Sequence, residues 1–365
     1  MKKVTKILAL VLTVILAFGL LAACGKKKDE KKYEDAEYMG EPMELTFSFG
    51  SSEEYMKPYK DAEAKITERT GGRVTFTNYF GGSLVSATEA LDAIQSGMCD
   101  LADITLTNFP DRFPYSEQVC ATPFVGFTSI PMAADVYRQY IPSHPECMAE
   151  FDACNITPLL FVGVWGTALT FKDEVTINGP KDLAGKKIIT ASKGETQFLQ
   201  DCGAIPVSDN ILNLGELFQN GVVDGSMVGL YLTNMFGALD FAKSVYYFDA
   251  SFTTGCRAFC INNDVWNSFD DTLKKIFQEE FASDEFLQYA AKTWAANDQS
   301  HLDKCDELGL PVNRINGDKL KVWQDAAAPY TEAKLAELES QGYTEARRLH
   351  QDLVDLITNY NGVFK

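Results

Sequence analysis

The sequence predicts an α/β protein of two similar lobes joined by a hinge, with a ligand cleft between the lobes and long helices towards its C-terminal end. Length is the first reason: 365 residues exceed what one ordinary core holds, so two domains are expected. Strand-like and helix-like stretches also alternate along much of the chain, the order of an open sheet covered by helices. Finally, one phrase occurs twice. Residues 95–103 read QSGMCDLAD and residues 219–229 read QNGVVDGSMVG, each time a helix end, a glycine stop and an acidic residue opening an apolar strand.

The elements follow in order. MELTFSFG alternates apolar and polar residues and predicts a strand. The stretch from about residue 54 to Arg69 places Tyr59, Ala62 and Ile66 on one helical face and stops at Gly71-Gly72. RVTFTNYF is a second alternating strand. Ser86 to Glu89 is a capping-box pattern that opens a helix carrying Ala90, Leu91 and Ile94 on its apolar side. Gly97 is placed to end that helix, since a left-handed position favours a residue without Cβ; CDLADITL is the strand after it. The second half repeats this order: strand KKIITA, a helix opened by Ser192 to Glu195 and closed by Gly203, strand AIPVS, a helix from Leu212 to Phe218 closed by Gly221, and strand VVDGSMVG. Beyond Asn263 the pattern is mostly helical, broken by a short GLPVNRIN strand. Tyr289, Trp294 and Trp323 recur there at positions that suit a helix core better than a binding face.

The N-terminus has a secretory layout: basic MKKVTK, an apolar run of about 17 residues, then Ala22 and Ala23 before Cys24. LAAC resembles the bacterial lipobox, which implies a signal peptide over residues 1–23 and a lipid on Cys24. Residues 24–43 are charged and lack apolar periodicity, as expected of a disordered tether. The lobes are expected to comprise 44–166 plus 255–294 and 167–254 plus 295–365.

Formal charge is −18, and −21 without Lys2, Lys3 and Lys6, a field that disfavours nucleic acid as a partner. Eight cysteines remain after Cys24, an even number that permits disulfides in an exported protein. Some lie in apolar strand-like runs, where buried free thiols are common. Cys256 and Cys260 share one face of a strand at a separation of roughly 13 Å, too far to pair with each other. The three histidines are scattered and no Cys-x-x-Cys occurs, so no metal is expected. The chain has no Gly-x-Ser-x-Gly elbow, no Ser-x-x-Lys, no His-Glu-x-x-His and no phosphate-binding glycine loop. An exported two-lobed chain without these groups reads as a non-enzymatic binder that closes on a small solute and needs no cofactor.

ITERTGGRVTFTNYFGGSLVSATEALDAIQSGMCDLADI resembles the first lobe of solute-binding proteins of tripartite ATP-independent periplasmic (TRAP) transporters, of the dicarboxylate-binding (DctP) type. NGPKDLAGKKIITASKGETQFLQDCGAIPVSDNILNLGELFQNGVVDGSMVG is similar to the second-lobe core of that family, and INNDVWNSFDDTLKKIFQEE to the crossing after it. The resemblance implies a periplasmic-binding-protein-like fold and a monomeric lipoprotein on the outer side of the cell membrane. It would pass a small organic solute to TRAP permease subunits, or as an alternative report ligand occupancy to a membrane signalling kinase. Two departures stand out. The arginine usual after K-I in the second-lobe strand is Ile189 here, and a second arginine common in the preceding strand falls at Ala168–Leu169. A bidentate arginine fork has no apolar substitute, so simple C4-dicarboxylates are not expected to bind. The remaining pocket positions implied by the family are Thr105, Asn108, Ser192, Tyr231 and Asn234. Arg257 is the candidate for a relocated anion partner, and Trp165 for an aromatic that stacks on a flat solute.

Overall fold

The computed structural model describes residues 36–365 except residues 54, 165–166, 191–192, 363 and 365. The signal segment, Cys24, most of the tether, Trp165 and Ser192 therefore lie outside the described residues. The first part of the chain runs β1 (Met43–Ser48), α1 (Lys57–Arg69), β2 (Val74–Tyr79), α2 (Ala90–Gln95), β3 (Leu101–Thr105), α3 (Ile130–Ser143), α4 (Pro145–Ala153) and β4 (Ile156–Val164). There follow β5 (Thr167–Phe171), β6 (Lys187–Thr190), α5 (Lys193–Asp201), β7 (Ile205–Val207), α6 (Leu214–Gln219), β8 (Gly225–Gly229), α7 (Leu230–Met235) and β9 (Ser244–Phe248). The chain then continues as β10 (Gly255–Asn262), α8 (Asn263–Ser268), α9 (Asp271–Ala282), α10 (Asp284–Glu307), β11 (Val312–Ile315), α11 (Gly317–Ser340) and α12 (Ala346–Thr358).

Two mixed sheets result, ordered β2-β1-β3-β10-β4 and β11-β9-β5-β8-β6-β7. Their cores repeat one motif. A parallel trio (β2-β1-β3, and β7-β6-β8) meets an antiparallel strand from the far side of the crossing, β10 in the first sheet and β5 in the second. The chain thus passes from one sheet to the other after β4 and back before β10, the topology of two lobes on a hinge.

The repeated phrase performs the same task in both sheets. Gly97 and Gly221 adopt φ of +72° and +64°, the left-handed turn that ends a helix without a Cβ clash. Three residues later the aspartate reaches the neighbouring strand. Asp100 Oδ2 accepts the Thr46 amide at 2.7 Å, and Asp224 Oδ2 accepts the Lys187 amide at 2.8 Å. Each aspartate also donates its own amide to that same neighbour's carbonyl. The carboxylate thus sets which residue of the parallel neighbour stands opposite the new strand.

Some boundaries differ from the sequence expectation. Helix α1 begins at Lys57 because Pro58 occupies its first turn, where a residue without an N–H is tolerated. Glu89 does reach back to the Ser86 amide at 3.1 Å, but these residues form a turn and the helix starts only at Ala90. Pro158 sits in β4, which is an edge strand and so tolerates a missing donor; the β4–β10 register shifts beside it, between Phe259 and Cys260.

Against the first sheet pack Phe47, Tyr59, Ile66 and Phe277 in one cluster, and Ile104, Tyr137, Tyr140 and Phe151 in another. The division read from the sequence puts 295–365 in the second lobe. Leu349 and Leu353 of α12, however, are buried in the cluster of Tyr140 and Phe151, and Tyr140 donates to the Leu349 carbonyl at 2.8 Å. Trp294 and Trp323 are fully buried, whereas Tyr289 is 39% exposed and bonds to Asp61 and Lys57. All eight cysteines described are free thiols, seven of them buried.

Burial acts strongly on Glu63, Glu117 and Glu150 of the first lobe, and raises Glu63 to about 7. Desolvation pushes Glu117 up to about 8 and Glu150 up to about 7, against partial relief from backbone amides: Cys256 donates to Glu117, and Tyr115 and Ser116 donate to Glu150. A carboxyl whose folded pKa lies above its unfolded value makes the native chain bind more protons than the unfolded one. Its contribution is whole below the unfolded pKa of 4.5 and is lost as pH rises towards the folded value. Stability measured by urea unfolding is therefore expected to fall between about pH 5 and about pH 8, and Glu117→Gln to flatten part of that slope. In the same assay, Asp100→Ala and Asp224→Ala are each expected to cost about 1–3 kcal/mol, the range for a lost charge-assisted hydrogen bond. The double variant should be additive, because the two anchors lie in different sheets.

Candidate functional site

The two sheets meet where the chain crosses between them and where α10 passes along both. Helix α10 is a 24-residue element. Its first half buries Phe286, Leu287, Ala290 and Trp294 in the core of the first sheet, while Cys305, near its end, is buried with Ala168, Leu230 and Tyr247 of the second. The middle of α10 is therefore held in the seam between the lobes.

A cavity of about 70 Å³ lies in that seam. The first lobe contributes Ser51, Tyr55 and Arg257, the second contributes Tyr231, and α10 contributes Trp294, Asn297, Asp298 and His301. A neighbouring cavity of about 180 Å³ shares Ile130 and Asp298 with it and extends to Tyr247, Asp249 and Arg314. The α10 residues recur at 294, 297, 298 and 301, the spacing that puts side chains on one helical stripe.

Arg257 stands in β10 opposite Thr105 of β3 and diagonal to Asp103 on the same face. Its guanidinium forks onto Asp103: Nε donates to Oδ1 at 3.1 Å and Nη2 donates to Oδ2. Nη2 also donates to Ser51 Oγ at 3.0 Å, and the group lies over the Tyr55 ring at 5.4 Å. The side chains are 13% and 6% exposed. The arginine is thus present at the cleft, but an internal carboxylate already neutralises it.

Aromatic rings form much of the remaining wall. Tyr55 stacks beside Trp294 at 6.3 Å and 18°, and Tyr231 lies against His301 at 5.8 Å. Burial raises the pKa of both tyrosines, which remain neutral hydroxyls. The His301 Nδ1 lies 3.1 Å from the Asn234 amide nitrogen; with that amide donating, the ring proton is on Nε2. Burial lowers the His301 pKa against the opposing charge of Asp298. Burial raises that of Asp298, opposed first by the hydrogen bond from the Tyr247 hydroxyl at 2.8 Å. The indole nitrogen of Trp294 is buried with no hydrogen-bond partner among the described residues, an uncompensated donor in the wall of a cavity.

A second polar group marks the crossings themselves. Glu195, buried at the start of α5, accepts from Thr167 at 3.3 Å, from Thr253 at 3.2 Å and from Thr190. Thr167 follows the β4–β5 crossing and Thr253 lies in the β9–β10 crossing, so one carboxylate ties both chain crossings to the second lobe.

The residues anticipated from sequence separate into groups. Tyr231 and Arg257 line the cavity, and Asn234 holds His301. Thr105 is half-buried opposite Arg257, and Asn108 is exposed with its amide 3.3 Å from the Ala87 carbonyl. Ile189 is fully buried among Leu214, Phe218 and Val228, and Ala168 among Leu230 and Tyr247; both positions are apolar core. Ser51, Tyr55, Asp103, Asn297, Asp298 and His301 were not anticipated. The signal available for three of them was the polar run Asn297-Asp298-x-x-His301 continuing the Trp294 stripe.

Solved TRAP solute-binding proteins share this architecture at low sequence identity. A marine-metagenome TRAP solute-binding protein in complex with 3-hydroxybenzoate superposes with a TM-score of 0.77 at 18% identity, covering 88% of this chain and 100% of that one. One from Rhodoferax ferrireducens with copurified benzoate gives 0.75 at 18%, covering 87% and 98%. One from Desulfovibrio salexigens, in an open complex, gives 0.73 at 21%, covering 88% and 98%. The family model for bacterial extracellular solute-binding protein, family 7 matches residues 50–338. With that match over most of its length, and a hinged pair of sheets enclosing a cleft, the chain belongs to the DctP family of bacterial extracellular solute-binding proteins.

Proposed function

We propose that this chain is a lipid-anchored receptor that captures a small organic solute between its lobes and delivers it to a TRAP-type membrane permease. The observation that carries the reading is the cavity in the seam, walled by both lobes and by α10, with an unpartnered buried indole donor in a family of solute-binding proteins. The cavity has the volume of about two waters, so a solute enters by separation of the lobes and its contacts favour closure. Structural neighbours carry 3-hydroxybenzoate, benzoate and β-D-glucuronate, which supports a small ring-bearing solute as the cargo class. No described helix is long and apolar enough to cross a membrane. Attachment in this reading comes from Cys24, following the LAAC sequence; one acyl group gives marginal membrane binding and more than one gives stable binding. The lobe division we propose is 44–164 with 255–294, and 167–254 with β11, with α12 returning to the first lobe.

Two measurements test this reading. A thermal-shift screen of the purified protein against organic acids, amines, sugars and aromatic compounds is expected to give at least one reproducible stabiliser. Linkage adds about 4 kcal/mol at a concentration ~1,000 times the dissociation constant, and a screen with no stabiliser would remove the receptor function. For the anchor, Cys24→Ser is expected to move the protein from the membrane pellet to the soluble fraction of bacterial cells, and an unchanged distribution would rule the lipid out.

A further inference from the structure

Resting on the receptor reading above, we propose that the cleft selects a planar solute bearing a cationic or N–H-donating nitrogen, which faces Asp298, and rejects carboxylates. Charge pairing around the two adjoining cavities leads to this class. Arg257 is forked by Asp103, and Arg314 is paired with Asp249 at 2.7 Å while lying over the Tyr247 ring at 4.7 Å. Each guanidinium that lines these cavities therefore has its own carboxylate. Asp298, shared by both cavities, is the acid left over. Its one hydrogen bond among the described residues comes from Tyr247, a neutral hydroxyl, and a carboxylate can accept several more.

A solute carboxylate in this seam would meet a surplus negative charge, and could fork onto Arg257 Nε and Nη2 only by displacing Asp103. A solute nitrogen that donates to Asp298 would neutralise the surplus, and Tyr55, Tyr231 and Trp294 supply ring faces for a flat or cationic body. Tyr55, Arg257, Tyr231 and Asp298 line one cavity together. Ile189 and Ala168, buried in apolar cores, add no cation to offset Asp298.

The test compares three ring compounds of similar size, benzylamine, benzamide and benzoate, by calorimetric titration of the intact protein. Benzylamine or benzamide is expected to bind at least about tenfold more tightly than benzoate, a factor of ten being the response to one modest charge contact. Asp298→Asn keeps an acceptor for the Tyr247 hydroxyl and removes the charge. It should weaken both nitrogen compounds, benzylamine about tenfold, and so remove the preference for benzylamine over benzoate. Conversely, Asp103→Asn should release the Arg257 charge and raise benzoate affinity about tenfold. Benzoate binding more tightly than both nitrogen compounds in the unaltered protein overturns the inference, as does a benzylamine preference unchanged in Asp298→Asn. Either result, or a carboxylate as the best stabiliser in the broad screen, leaves the receptor reading intact. Absence of any stabiliser in that screen removes both.

Discussion

Helix α10 threads both hydrophobic cores, as α11 does through Trp323 and Leu338, and the geometry of the cleft depends on it. Helix α10 is anchored at one end by Phe286, Leu287 and Trp294 and at the other by Cys305, so its middle turns cannot move far from the seam. At a rise of about 1.5 Å per residue a 24-residue helix is ~36 Å long, enough to run along both sheets. The polar residues it carries at its midpoint are thereby presented to the space between the lobes, and a motion that opens the cleft must leave at least one anchored end in place. Further links are α11 and the two chain crossings near Glu195, whose buried carboxylate ties those crossings together through threonine hydroxyls. Hinge and wall are built from the same few segments, so closing on a solute and holding it are mechanically coupled.

Electrostatics then separates this cleft from one built to capture an acid. A guanidinium is well suited to a carboxylate because its donors form a planar fork, and Arg257 has its Nε–Nη2 edge engaged by Asp103. Breaking a buried pair is costly because it leaves one charge uncompensated; the Arg257–Asp103 pair therefore behaves as a neutral part of the wall. The solved neighbours at 18% identity hold aromatic acids, and at that distance the shared fold does not transmit the charge of the ligand. Fold and cargo are carried by different residues: the former by glycine stops and apolar strands, the latter by a handful of side chains facing the seam.

Much of the architecture was legible in the chain because it rests on local rules. Gly97, Gly203 and Gly221 end helices where a residue without Cβ is required, and all three have positive φ. The alternating strand MELTFS buries Leu45 and Phe47 on one face and so shows its period. The middle of the chain was harder to read. Strands β4, β5 and β10 are buried on both faces along most of their length, and a strand without a polar face carries no alternation to recognise. Their pairing joins residues some 100 positions apart, as in Phe259 opposite Leu160, and nothing local specifies it. Candidate site residues followed the same divide. Tyr231 and Arg257 were reachable through motif position, whereas Asp298 and His301 sit on a helix whose polar residues look like any solvated face until the second lobe covers them.

The sequence by itself determined two lobes of like construction, the helix stops that end their first crossovers, the paired aspartates Asp100 and Asp224, and the absence of arginine at Ile189 and Ala168. These are properties of single residues and short periods, which backbone sterics and alternation impose wherever they occur. Only the tertiary structure decided that Asp103 binds the Arg257 guanidinium, that α10 lines the cleft, that α12 packs into the cluster of Tyr140 and Phe151 and that Asp298 makes no salt bridge among the described residues. Each depends on which surfaces come together when the lobes pack, and a charge has no sign of surplus or balance until its neighbours in space are known.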